Sequence, residues 1–407
     1  MGTLPNYQGG YQPVLIVSNK EVHRRLVPFF AFEFFSSFLF FAPVLIPFFS
    51  VWGKLSQFQI QSLQSWFLLV LFVCQMPTGV FADHIGRKYS LGLGCFLSAI
   101  GTVVYTSRPD FLVFMWAETF FGLGCAFVAG ADQAFIFETL TELGRTDRKE
   151  WAFGTMSAIS LTAMLMAAPI GSWIAGYNGV TAPMAASAIP FLVAAMVAFS
   201  LQEPKQNLPT QGITKSQIHK IRTGLSILRT HTQLRWLVLN STLVSVAGYF
   251  VIWIYQGLLG RVNVPHSYFG YYHTGLVGVQ VLAASQFGRL GALPNGIGRY
   301  LSLTALATSF GFLLAAWQLT HLNVIIFLIC GGLGLTRQNL LAAQMSPFIP
   351  TDQRATILSA IGMIRQSLLF LLNPLVGVLI DYSAPLALVM ISLLPLAALL
   401  MNLKKPT

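Results

Sequence analysis

Six residues in the first quarter of the chain form a polar string suited to joining and orienting two helices. They are Gly79, Asp83, His84, Gly86, Arg87 and Lys88. Glycines permit a tight turn and a close approach between helices. A carboxylate in such a turn can accept backbone N–H groups at a helix N-terminus, where negative charge is favoured. A guanidinium can pair with a carboxylate on another helix. The string therefore predicts a charged, constrained connection between two helices.

Three acids later in the sequence are candidate partners for Arg87. Glu138 and Glu142 lie just beyond an apolar segment at 111–137, and the sequence does not choose between them. Asp132 follows a glycine near the end of the same segment, and we interpret it as a gate or packing residue rather than a substrate ligand.

Four ionisable side chains fall inside long apolar segments, where a charge is costly and usually faces a partner or a cavity. They are Glu33, Glu118, Arg337 and Arg365. Glu33 shares a helical face with two serines, which favours a proton or substrate site over a structural role. Glu118 is either a proton carrier or a structural hydrogen-bonding group. Each arginine is an anion clamp, a fixed counter-charge or a tie between helices, and acids of one half can pair with bases of the other.

The composition indicates a membrane protein. Of 407 residues, 55% are hydrophobic and only 9% are charged, whereas soluble domains average about 25% charged residues. A membrane-spanning helix needs about 20 mainly apolar residues. Twelve windows of that kind occur: 26–49, 60–82, 89–107, 111–137, 151–176, 180–201, 234–259, 267–288, 300–318, 322–347, 355–380 and 384–402. We therefore predict an all-α, multi-pass membrane protein with twelve transmembrane helices.

The distribution of basic residues predicts the orientation of the chain. Of its 24 Lys and Arg residues, all but Lys54, Arg108, Arg261 and the two intramembrane arginines flank one side of the predicted spans. Basic residues in short loops mark the cytoplasmic side. Both termini are therefore expected in the cytoplasm. The protein itself is expected in a cell membrane such as the inner or plasma membrane. The net charge of +11 is a topology signal and does not indicate nucleic-acid binding.

The chain divides into two similar halves. The triplet Ile-Gly-Arg at 85–87 recurs at 297–299, and Gly-Leu-Gly at 122–124 recurs at 332–334. Each half holds six windows, so the sequence predicts two parallel-repeat six-helix bundles. The predicted parts are a cytoplasmic tail at 1–25, a bundle at 26–202, a cytoplasmic linker with a short amphipathic helix at 203–233, a bundle at 234–403 and a tail at 404–407.

The polar string resembles the loop motif G-x-x-x-D-[RK]-x-G-R-[RK] of the major facilitator superfamily, with His84 in place of the usual Arg or Lys. Unlike those side chains, an imidazole can gain or lose a proton near neutral pH. The resemblance implies the twelve-helix fold and a substrate site between the halves. It also implies that the motif acts as a latch that stabilises one state of an alternating-access cycle.

Two further strings resemble motifs of the same family. Glu118-x-x-x-Gly122-x-Gly124-x-Ala126 matches R-x-x-x-G-x-G-x-A except that Glu replaces Arg. The glycines keep a predicted packing role, but a role of the family's Arg in proton transfer is not carried over. Residues 164–173 faintly resemble an antiporter motif around Pro169.

The expected function is secondary active transport of a small molecule, with proton-coupled efflux of an amphipathic or drug-like compound favoured. The alternatives are an organic-anion carrier that uses Arg337 and Arg365, and a transporter-like lipid mover or sensor without coupled transport. No nucleotide-binding loop, metal-ligand cluster or nucleophile elbow occurs in the sequence. We therefore expect no enzymatic activity, no cofactor and no metal. The expected partners are the substrate, a proton and membrane lipid, and the expected state is a monomer.

Overall fold

A computed structural model describes residues 18–204, 232–291, 296–345 and 354–403, and every regular element among them is helical. The first half contains α1 (Asn19–Ser36), α2 (Gln57–Ile85), α3 (Arg87–Ser107), α4 (Phe111–Val128), α5 (Ala131–Glu142), α6 (Lys149–Asn178), α7 (Ala182–Ala186) and α8 (Ala188–Ser200). The second half contains α9 (Thr232–Arg261), α10 (Phe269–Gly291), α11 (Gly296–Trp317), α12 (His321–Met345), α13 (Arg354–Tyr382) and α14 (Ala384–Leu403). The predicted amphipathic helix of the linker lies outside the described residues.

The two halves repeat the same packing pattern. In the first half α3 packs against α4 and α8, and α1 packs against α8. In the second half α11 packs against α12 and α14, and α9 packs against α14. Between the halves, α2 packs against α13 and α6 packs against α10. The all-helical architecture and its internal repeat agree with the predicted fold class.

Nine helical segments in the described part of the chain are long and apolar enough to cross a membrane, and two shorter apolar helices cover Ala42–Trp52 and His321–Arg337. One predicted window, 267–288, is matched by neither group. It corresponds to α10, which is 23 residues long. The fourth window is interrupted, because α4 ends at Val128 and α5 begins at Ala131, after Gly130 with a φ of 92°. A positive φ of this kind is readily adopted only by glycine.

The first predicted span is not one continuous helix. The helix α1 begins at Asn19, before the predicted start at 26, and ends at Ser36. The chain then continues to Trp52 through short helical turns that contain Pro43 and Pro47. Proline lacks an N–H donor and clashes with the preceding turn, which fits the short irregular turns between Ala42 and Trp52, whereas α1 itself has already ended at Ser36.

A side chain from the other half satisfies the backbone exposed by this break. The Gln256 side chain on α9 accepts a hydrogen bond from Ile46 N–H at 2.9 Å and donates one to the Ala42 carbonyl at 3.0 Å. Gln256 is 2% exposed. Irregular backbone at membrane depth requires such protein partners, because lipid supplies none.

Each bundle has two ends, which we name by their residues. The motif end carries Ile85, Arg87, Glu142 and Glu203, and the far end carries Gln57, Phe111, Arg261 and Tyr382. Among described residues, the side-chain hydrogen bonds between the halves lie in the half of the bundle nearest the far end: the two bonds of Gln256, Asp381 to the Gln57 and Phe58 N–H groups, Ser65 to the Phe370 carbonyl, Ser172 to the Ser267 carbonyl and Thr274 to the Leu165 carbonyl. At the motif end, the ion pairs among described residues join elements of one half only. The halves are therefore joined at the far end.

Candidate functional site

Arg87 is the centre of an ion-pair cluster at the motif end. Its Nη2 lies 2.9 Å from Glu138 Oε1 on α5 and 2.6 Å from Asp83 Oδ1 on the last turn of α2. Its Nε also donates to Glu138 at 3.3 Å. Of the two acids that the sequence left open, Glu138 is the partner, and Glu142 instead pairs with Arg25 at 3.0 Å. The cluster ties three helices of the first half together.

Glu203, which the sequence analysis did not identify, caps the N-terminus of α3. Its carboxylate accepts hydrogen bonds from the Arg87 N–H at 2.5 Å and the Lys88 N–H at 2.9 Å. Asp83 was expected to cap a helix N-terminus, but the first N–H groups of α3 are taken by Glu203, because Asp83 precedes the loop and points to the Arg87 side chain. Glu203 follows the last predicted span of the first half, at the first position of the predicted linker.

Gly86 is required where the motif turns. Its φ is 130°, and an added Cβ would lie 3.1 Å from the Glu203 carboxylate. Gly79 differs, because an added Cβ would meet no described atom within 4 Å. The close helix approach that the sequence predicts at Gly79 is therefore absent in this conformation. His84 is exposed at the end of α2, and the Lys88 ammonium lies 5.1 Å from the centre of the Tyr89 ring.

Asp132 lies away from the ion-pair cluster. Its carboxylate accepts the N–H groups of Gly130 at 3.3 Å and Gln133 at 2.6 Å, and so stabilises the interruption between α4 and α5. It makes no ion pair with Arg87 among the described contacts.

Glu33 lies farther along its helix than the sequence suggested. Because α1 starts at Asn19, Glu33 is 14 residues from its beginning, which corresponds to a rise of about 21 Å. Its half-buried carboxylate accepts a hydrogen bond from the Ser160 hydroxyl on α6. No Lys, Arg or His in the described residues forms an ion pair with it. Glu33 is thus held by one hydroxyl group and by no cation within the described part of the chain.

Glu118 is almost fully buried, at 6% exposure, and accepts a hydrogen bond from Gln64 Nε2 at 2.9 Å. The glycines of its motif have the packing role that the resemblance implied. A Cβ on Gly122 would lie 2.9 Å from Val70 of α2. A Cβ on Gly124 would likewise lie too close to Gly94 of α3.

The two arginines have different surroundings. Arg365 on α13 is half-buried and forms no ion pair with described residues. On the same helix, the Asn373 side chain donates a hydrogen bond to the Tyr249 hydroxyl of α9 at 3.3 Å. Among the described contacts, Arg365 therefore has no acid partner in either half.

Arg337 is enclosed within the second half, at 1% exposure. Its guanidinium donates to Thr304 Oγ1 and Asn240 Oδ1, each at 2.7 Å, and to the Leu301 carbonyl. This position ties α12 to α9 and α11. Of the roles considered from the sequence, a tie between helices fits this geometry, and an anion clamp in a central cavity does not.

Among described residues, no group of three or more His, Cys, Asp or Glu side chains could hold a metal ion.

Comparison with known proteins identifies the family. A profile of the Major Facilitator Superfamily matches residues 27–373. No curated protein sequence matches the chain significantly.

Several solved transporters share the fold at low sequence identity. A mutant of the nucleoside transporter NupG superposes with a TM-score of 0.74 at 12% identity, covering 95% of this chain and 98% of that one. A bacterial homolog of the human lysosomal transporter Spinster, inward-facing and occupied, gives 0.72 at 14% identity, with coverages of 95% and 96%. A POT family transporter bound to a thioalcohol-conjugated peptide gives 0.70 at 14% identity, with coverages of 94% and 95%. The family and the fold support an integral multi-pass transporter of a small molecule, not an enzyme.

Proposed function

This chain belongs to the Major Facilitator Superfamily, and from that premise we propose that it exports a small amphipathic compound in exchange for protons. Its two six-helix halves, 26–202 and 234–403, alternate around a central site. The motif end faces the cytoplasm, together with both termini and the linker at 203–233. The protein acts as a monomer in a cell membrane.

The observation that carries the proposal is the environment of Glu33, an acid on a membrane-spanning helix. Its partly accessible carboxyl group accepts a hydrogen bond from the Ser160 hydroxyl and has no cationic partner among the described residues. A carboxyl group inside the membrane region binds or releases a proton as its surroundings dry or hydrate. Alternating access changes this hydration, so proton binding at Glu33 is coupled to the conformational cycle.

The side chains beside Glu33 support an amphipathic substrate. Phe34, Phe38 and Phe41 are partly exposed on the segment that follows Glu33. Phe34 and Phe38 lie 5.1 Å apart between ring centres, and Phe41 lies 5.8 Å from Phe121 of α4. Aromatic faces of this kind bind apolar or aromatic ligands and attract cations.

The test is transport by purified protein in proteoliposomes, with and without an imposed pH gradient. Ethidium serves as an amphipathic cation and fluorescein as an organic anion. Glu33→Gln should abolish gradient-driven ethidium transport but leave energy-independent counterflow, because an amide keeps the hydrogen bond to Ser160 but cannot titrate. Glu118→Gln is the matched comparison. Unchanged gradient dependence in Glu33→Gln would remove the proposed role of Glu33.

A second candidate, an organic-anion carrier, is favoured by Arg365, a partly exposed guanidinium without an ion pair among the described residues. Arg365→Ala should then lower fluorescein transport more than ethidium transport. Equal loss of ethidium and fluorescein transport would indicate a structural arginine.

Movement of labelled phospholipid without any response to a pH gradient would favour the third possibility, a lipid mover.

A further inference from the structure

A cavity of about 210 Å³ lies between α2 and α13, the two helices that join the halves. Its wall consists of Leu68, Leu69, Phe72, Gln366, Ser367, Phe370 and Leu371. The cavity begins next to the hydrogen bond of 2.7 Å between the Ser65 hydroxyl and the Phe370 carbonyl, on its motif-end side. It therefore lies at the contact between the two halves.

The cavity is at mid-depth and faces the bilayer. Leu68 is 11 residues from the start of α2, and Leu371 is 11 residues from the end of α13. At a rise of 1.5 Å per residue, both lie about 17 Å from the far end, near the middle of a hydrocarbon layer about 30 Å thick. Leu69 and Leu371 are 37% and 62% exposed, so the cavity opens on the outer surface of the protein.

Two polar side chains distinguish this cavity from an ordinary lipid-facing groove. Gln366 and Ser367 form part of its wall and are not buried. Neither side chain makes a hydrogen bond within the described part of the chain. An amide or hydroxyl without a partner at this depth is unfavourable. A lipid tail cannot relieve this cost, because its polar headgroup lies at the membrane surface.

We propose that the cavity is a binding site for an amphipathic molecule that enters laterally from the bilayer. The apolar body of the ligand packs on Leu68, Leu69 and Phe72, and its uncharged polar group bonds to Gln366 and Ser367. No charged side chain forms part of the wall, so the matching polar group is a hydroxyl or an amide. The site deepens the proposed function, on which it rests, by giving an amphipathic substrate a route from the membrane to the space between the halves.

Photolabelling tests the site without requiring transport. The protein in nanodiscs is labelled with a diazirine derivative of dodecanol, and the adducts are mapped by mass spectrometry. The matched probe is the same diazirine chain without the hydroxyl group. We expect the alcohol to label 68–72 and 366–371 about fivefold more than the alkane, the effect of one hydrogen bond worth about 1 kcal/mol.

Two variants make the result specific. Gln366→Leu should reduce labelling by the alcohol to the level of the alkane, and this change places an apolar residue in lipid, where it does not threaten folding. Leu371→Trp should fill the cavity and reduce labelling by both probes. Leu375→Trp is the control, because Leu375 is 60% exposed on the same helix but is not part of the wall.

Equal labelling by alcohol and alkane, or labelling spread along all exposed residues of α13, would overturn the proposal. Because no proton gradient is present, failure of proton coupling leaves the labelling interpretable. Conversely, gradient-driven ethidium transport that persists while the cavity remains unlabelled would reject the lateral site and retain the transporter.

Discussion

At the residue scale, two glycines of one motif meet different surroundings and should respond oppositely to alanine. Gly86 has a φ of 130° and contacts Glu203, whereas Gly79 lies inside α2 with open space around it. Gly86→Ala should lower the unfolding free energy by about 1–3 kcal/mol, the cost of a backbone region open essentially only to glycine. Gly79→Ala should raise the unfolding free energy by up to about 1 kcal/mol, because alanine has a higher helix propensity than glycine.

Unfolding temperatures of the purified variants in detergent test this pair, and each glycine is the control for the other. Glu203→Ala should also destabilise, since the N–H groups of Arg87 and Lys88 would lose their cap. Gly86→Ala with an unchanged unfolding temperature would contradict the assigned backbone geometry.

A second residue-scale prediction concerns the partner of Arg87. Arg87→Glu should abolish transport, because it would place a third acid beside Asp83 and Glu138. Glu138→Arg should partly restore transport in that background. Glu142→Arg should not, because Glu142 already pairs with Arg25. Ethidium counterflow measures both double variants, and rescue by the Glu142 change alone would show that the pairing is wrong.

The motif could be predicted in outline from sequence, and its full set of partners could not. The motif and the resemblance it carries predicted that Arg87 would pair with an acid near the end of the fourth window, and Arg87 contacts Glu138 there. Glu203 is 116 residues from Arg87, and nothing in its local sequence distinguishes it from other acids in loops. For Arg337 the sequence left open an anion clamp, a fixed counter-charge and a tie between helices. Its partners Asn240 and Thr304 are ordinary polar residues whose convergence depends on the packing of three helices.

At the element scale, the broken first span depends on α9 of the other half. Replacing Gln256 with Leu would leave Ile46 N–H and the Ala42 carbonyl without their partner. Each unsatisfied buried group costs about 1–3 kcal/mol, so we expect the far end to open more often. Gln280→Leu is the matched control, since the one side-chain bond of Gln280 among the described contacts goes to the carbonyl of Leu276 on its own helix.

The reaction of Ser172→Cys with a membrane-impermeant maleimide measures this opening, because Ser172 is buried at the contact with Ser267. The four native cysteines are replaced by alanine in this background. A reaction rate unchanged by Gln256→Leu would mean that the break is stable without its cross-half partner. Hydropathy could not reveal this break, because Pro43 and Pro47 count as tolerable residues in an apolar window, and the partner lies 210 residues away.

At the scale of the whole molecule, opposite ends should control opposite states. Asp83 and Arg87 act at the motif end. The latch hypothesis predicts that Asp83→Asn weakens the state in which the far end is open, and so shifts the population towards far-end closure.

His84→Arg tests whether the balance between far-end opening and closure depends on pH through the imidazole. Identical pH profiles of Ser172→Cys accessibility with His84 and with His84→Arg would leave His84 as a simple substitute for the usual base.

Asp381 should act in the reverse direction. Its carboxylate on α13 accepts the N–H groups of Gln57 at 2.9 Å and Phe58 at 2.8 Å, at the N-terminus of α2 in the other half. Negative charge at a helix N-terminus is favourable by about 0.3–1 kcal/mol when exposed. Asp381→Asn should therefore shift the equilibrium towards far-end opening by up to about fivefold.

Distance distributions between spin labels at Tyr177→Cys and Tyr382→Cys can measure that shift, since both positions are exposed at the far end, one in each half. Asp110→Asn is the matched control. Asp110 also caps a helix, through the N–H groups of Leu112 and Val113, but within its own half. Asp110→Asn should lower stability without lengthening the distance between the two spin labels. If both variants lengthen the distance equally, the effect reflects general loosening rather than a bond between halves. If Asp381→Asn and Asp83→Asn shift the population in the same direction, the two ends do not oppose each other in the transport cycle.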